Sequence, residues 1–104
     1  MKLTDAAFTV CFPDWYDERA EYEHCSKGFL PDVKVRKLDG SLCRLYIVDP
    51  TRLGQDLEAY VEQGRPYLAE PGLVVVPEVT RAAITTAVEG LAKDGFFDHL
   101  RFER

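Results

Sequence analysis

A chain of 104 residues with 46% hydrophobic and 30% charged side chains has the balance of one folded domain, here expected to span residues 1–104. That balance excludes a disordered polyelectrolyte, and no apolar run approaches the roughly 18 residues needed to cross a membrane. A net charge of −5 argues against nucleic acid as a partner, since a polyanion attracts basic surfaces.

Met1-Lys2-Leu3-Thr4-Asp5 lacks the apolar stretch of a secretory signal, which predicts a cytoplasmic protein. Cys11, Cys25 and Cys43 are odd in number and form no C-x-x-C pair. They therefore predict reduced thiols rather than a disulfide framework.

Phe8, Val10 and Phe12 alternate with Thr9 and Cys11, predicting a strand over residues 5–12 that Pro13 stops. Asp14 can cap a helix over 15–26, with Trp15, Arg19 and Tyr22 at helical spacing and Gly28 as its stop. Val33–Leu38 and Leu42–Val48 then flank Asp39-Gly40, a hairpin signal. A two-residue turn would mix the two faces. A three-residue turn, with Gly40 left-handed, pairs Val35 with Cys43 and Val33 with Leu45. Only this second register gathers Val33, Val35, Cys43, Leu45 and Ile47 on one face and Lys34, Arg36, Leu42, Arg44 and Tyr46 on the other. It is preferred because the alternative buries Arg44 or Lys34 unpaired.

Asp49-Pro50 reads as a helix cap and first turn. Leu53, Leu57, Tyr60 and Val61 form the stripe expected to be buried, and Gly64 ends the helix. After a loop with Pro66, Pro71 and Gly72, the run Leu73-Val74-Val75-Val76 predicts a strand covered on both faces, hence central in the sheet. Thr80 caps a last helix over 81–94, with Val79 and Ile84 as a hydrophobic staple and Ile84, Ala87, Val88 and Leu91 turned inward. Phe96 and Phe97 anchor the tail, and residues 99–103 alternate as a short edge strand would.

The order is β-α-β-β-α-β-α, with a possible final strand. The fold class is α+β: a single, mostly antiparallel sheet of four to five strands with two to three helices on one face. The leading arrangement is ferredoxin-like, from the βαββαβ order.

No spacing suits a metal module, and no cofactor is expected. His24 and Cys25 are neighbours in sequence, but successive helical residues do not face each other, and a helix C-terminus disfavours a thiolate. No residue therefore carries a catalytic assignment. Two surfaces remain. The segment from Asp14 to Glu23 concentrates acids and aromatics, and Trp15, Tyr16, Glu21 and Glu23 are its candidate partner-binding residues; the competing reading is a solvated face with Trp15 in the core. Lys34, Arg36 and Arg44 beside Tyr46 form a basic stripe able to meet an anion or an acidic protein surface. These features predict a small protein-interaction or regulatory domain without catalytic activity, contacting a protein partner through the acidic-aromatic surface. An antitoxin or immunity-type inhibitor is one specific form. The alternative is a homo-oligomeric small-ligand-binding module, such as a homodimer, with Phe96, Phe97 and Phe102 as its apolar contact; the third reading is an enzyme of unassigned type.

Overall fold

A computed structural model describes residues 7–104. Residues 5 and 6 of the expected first strand lie outside the described residues. Among those described, the chain runs β1 (Phe8–Cys11), α1 (Glu18–Lys27), β2 (Phe29–Lys37), β3 (Leu42–Val48), α2 (Pro50–Glu62), β4 (Leu73–Val75) and α3 (Arg81–Lys93), then a 3-10 turn over Phe96–His99. The fold is α+β, with one four-stranded mixed sheet in the order β1-β2-β3-β4. β1–β2 and β2–β3 are antiparallel, and β3–β4 is parallel.

The hairpin follows its alternation. Val33 pairs with Leu45, Val35 with Cys43 and Lys34 with Arg44. Gly40 closes the three-residue turn at φ +89°, donating its N–H to the Lys37 carbonyl oxygen at 3.0 Å. Asp39 braces the turn by accepting the Ser41 N–H at 2.9 Å and the Ser41 hydroxyl at 2.6 Å. These bonds hold the Asp39 carboxyl below its ordinary value. Val33, Val35, Leu45 and Ile47 are fully buried on the inner face, with Cys43 nearly so.

β2 carries one device that alternation alone does not reveal. Leu30 and Val33 are an odd number of residues apart, which should place them on opposite faces, yet both are fully buried. The register slips between them, where Pro31 and Asp32 together face Tyr46. Asp32 takes the left-handed conformation at φ +64°. The extra residue of this bulge restores Leu30 to the inner face.

α1 starts later than expected. Tyr16 donates its N–H to the Pro13 carbonyl oxygen and Asp17 to that of Trp15, each at 3.0 Å. The chain thus turns once before the helix, and Asp17 replaces Asp14 as the cap, accepting the Ala20 N–H at 2.9 Å. Gly28 ends the helix at φ +80°, as expected. The caps Asp49 and Thr80 also hold, accepting from Arg52 and Ala83.

Three expectations need correction. The sheet is not arranged as in a ferredoxin-like fold: a split βαβ unit keeps β1 and β2 apart, whereas here they are antiparallel neighbours. The short α1 connection reverses the chain instead of crossing it over. β4 is an edge strand, not a central one, because β2 occupies the other side of β3, and Val75 is 46% exposed. The helices are also not all on one face. α3 places Ile84 and Val88 in the inner core. α2 buries no residue and leaves Leu57 and Val61 exposed. Its Arg52 guanidinium lies 4.1 Å from the centre of the Phe29 ring. Phe29 pairs with Val48, which is fully buried yet outside the inner cluster. α2 therefore covers the Phe29–Tyr46–Val48 end of the outer face.

The tail is also different. In place of an edge strand, one antiparallel bridge joins Leu42 to Glu103. Phe97 is buried, its ring 5.1 Å from that of Phe8 and 6.2 Å from that of Phe102. Phe96 and Phe102 pack against the same cluster, so the phenylalanines proposed as an oligomer contact close the chain's own core.

Candidate functional site

With α2 over one end of the outer face and α3 over the inner one, no helix among the described residues lies on the β1–β2–β3 end of the outer face. Alternation turns Cys11, Lys34, Arg36, Leu42 and Arg44 to that side, since their partners in register face the same way. The turn after β1 adds Trp15. These side chains, together with Asp14 and Asp32, line a groove of about 500 Å³.

The same turn separates two candidates adjacent in sequence. Tyr16 goes inward and is 3% exposed, while Trp15 is 49% exposed. Tyr16 stacks on Phe12 at 5.3 Å, and burial pushes its hydroxyl up to about 12. Trp15 touches Tyr16 edge-on at 6.3 Å and His24 at 5.2 Å. His24 donates Nδ1–H to the Phe29 carbonyl oxygen at 2.9 Å, so its ring positions Trp15 and the end of α1.

The two acids also part ways. Glu21 accepts the Arg81 backbone N–H at 2.7 Å. Glu23 is on the solvent side, 3.6 Å from the exposed Arg19. Of the four residues in the acidic-aromatic set, Trp15 and Glu23 face outward, while Tyr16 and Glu21 hold the fold together. Tyr22, at helical spacing from Trp15 and Arg19, is 75% exposed.

The basic set does converge. Arg44 pairs with Asp32 at 3.2 Å, but both side chains are more than half exposed, so the pair contributes under ~1 kcal/mol. Lys34 and Arg36 form no ion pair among the described residues. The groove floor therefore presents uncompensated positive charge beside an indole and the apolar edges of Leu42 and Cys11.

Two further hollows escaped the sequence reading. One, about 310 Å³, lies where α2 meets the sheet and is lined by Tyr46, Asp56, Tyr60, Leu68, Glu70 and Leu73. The other, about 500 Å³, runs along the β4 edge above Ala83 and Ala87 of α3. The first depends on where α2 settles on the sheet and the second on where β4 settles beside α3, which no local pattern specifies. Among the described residues, no group of three or more His, Cys, Asp or Glu side chains is placed to hold a metal ion, and no helix is long and apolar enough to cross a membrane. No family model matches the chain, and no curated protein or solved structure matches it.

Proposed function

We propose that the chain is a non-catalytic protein-interaction domain that receives an acidic segment of a partner protein on the helix-free part of its outer sheet face. The observation that carries this reading is the placement of Trp15 in one groove with Lys34, Arg36 and Arg44. A half-exposed indole supplies the apolar anchor of a docking surface. Lys34 and Arg36, which form no ion pair among the described residues, select a partner of opposite charge and speed its approach. The acidic-aromatic segment thus contributes its tryptophan to a basic surface.

Trp15 is the single tryptophan of the chain, so its fluorescence reports directly on the groove. Titration with a Glu- and Asp-rich peptide should shift the emission saturably, and more weakly as salt rises. Reversal of Arg36 or Lys34 to Glu should weaken binding about tenfold. An unchanged Trp15 spectrum, or charge-reversed variants that bind equally well, would reject the groove.

A second reading rests on Tyr22, which projects from α1 beside the exposed Glu18 and Glu23. It places a basic partner on that helix. A Lys- and Arg-rich peptide that binds while the acidic one does not would favour it, and Tyr22→Ala with Glu23→Lys should then abolish the contact.

A further inference from the structure

The hollow between α2 and the sheet has features that neither packing nor the docking groove requires. Tyr46 of β3 and Tyr60 of α2 both line it. The Tyr46 ring packs on Phe29 at 6.2 Å, and its hydroxyl has a hydrogen bond with Arg52. Leu68 and Leu73 supply apolar wall, and the charged groups lining the hollow are Asp56 and Glu70. The Arg52 Nε donates to Asp56 Oδ1 at 3.0 Å, which partly neutralises that carboxylate. Glu70 has no ion pair among the described residues.

We propose that this cavity binds a small organic ammonium ion, with its alkyl groups between Tyr46, Tyr60 and the two leucines and its charge facing Glu70 and Asp56.

Size, charge and ring chemistry agree on this class of ligand. About 310 Å³ is at the low end of ligand sites, so a compact molecule is required. An anion would meet the Glu70 carboxylate, whereas Asp56 already has Arg52 as its counter-ion. A neutral apolar molecule would leave Glu70 facing it without a counter-charge. A quaternary or alkylated ammonium suits both walls, because aromatic faces attract cations electrostatically and methyl groups reduce the cost of removing water. Just past the end of α2, the Arg65 guanidinium lies 4.8 Å from the Tyr60 ring centre, so that ring already attracts one cation. Burial pushes the Tyr46 hydroxyl up and Asp56 and Glu70 push it further, while Arg52 pulls it down through its charge and its hydrogen bond. The site also joins four pieces of chain: β3, β4, α2 and the loop before β4. Since α2 buries no residue of its own, a ligand bridging Tyr60 to the sheet would hold that helix down.

The test is an NMR titration of the whole chain with choline, with its neutral carbon isostere as the control. Choline should shift the amide resonances of Tyr46, Tyr60, Glu70 and Leu73 saturably and slow hydrogen exchange in α2. The isostere should bind about tenfold more weakly. Tyr60→Leu and Glu70→Gln should each weaken choline several-fold. Absence of saturable shifts at these residues with choline at millimolar concentration would overturn the proposal. So would equal binding of the isostere, or unchanged affinity in both the Tyr60 and Glu70 variants.

Discussion

The Glu21 carboxylate accepts the backbone N–H of Arg81 at 2.7 Å across 60 residues of sequence. An acid of α1 thereby satisfies one free donor at the start of α3 and lies near the positive end of that helix. Arg81 returns the contact: its guanidinium donates to the Tyr16 carbonyl oxygen and lies 4.5 Å from the Phe12 ring centre. Glu21→Ala should therefore destabilise the fold by about 1 kcal/mol. Glu23→Ala on the same helix should change stability by less than ~0.5 kcal/mol, because its pair with Arg19 is exposed. Urea unfolding of the two variants makes the comparison, and equal losses would contradict the placement of Glu21.

Tyr16 buries its hydroxyl without a hydrogen-bond partner among the described residues. Removing an unpaired buried hydroxyl while keeping the ring should be neutral or stabilising by up to ~1 kcal/mol, so Tyr16→Phe should raise the unfolding midpoint or leave it unchanged.

The same burial predicts a pH dependence. Tyr16 is pushed from 10.0 up to about 12 in the fold, so the unfolded chain loses this proton first. Its contribution is complete below about pH 10 and is lost as pH rises from there through about 12. Between about pH 8 and about pH 11 the unmodified chain should lose roughly 1 kcal/mol more than Tyr16→Phe does. Denaturant curves at both pH values measure the difference.

Gly72 sits at φ +85°, and a Cβ there would lie 2.5 Å from the Arg44 carbonyl oxygen. That oxygen belongs to the backbone of β3 and cannot rotate away. Gly72→Ala should cost more than ~1 kcal/mol and loosen β4, whose pairing begins with the Tyr46 N–H donating to the Gly72 carbonyl oxygen at 2.9 Å. Gly40→Ala, with open space around it at φ +89°, should cost only the backbone term, about 1 kcal/mol. Thermal unfolding ranks the two.

Cys43 is buried on the inner face, and burial raises its thiol. Cys11 and Cys25 are half-buried. A mild thiol reagent at neutral pH should label Cys43 at least about tenfold more slowly than the other two, as read by mass spectrometry. Rapid labelling of Cys43 would mean that the hairpin presents its other face to the core.

Several elements were legible in the chain because they depend on neighbours in sequence. The hairpin register followed from alternation and from a glycine able to adopt positive φ at the turn. The caps Asp49 and Thr80 followed from short polar side chains ahead of apolar helical spacing. The basic set Lys34, Arg36 and Arg44 came together because alternate residues of paired strands must share a face.

Packing across the molecule settled the rest. The stripe Leu53, Leu57, Val61 says that α2 has an apolar side, but not which surface it meets, and in the fold that side is left largely open. Leu73-Val74-Val75 is apolar at every position, so its pattern names neither a face nor a neighbour; the return of the chain beside β3 made it an edge. Trp15 and Tyr16 are equally fit for burial by residue type, and a single turn stabilised by the Pro13 carbonyl chose Tyr16. A side-chain pattern records which residues avoid water. Which surface shelters them is decided only when distant segments compete for the same space.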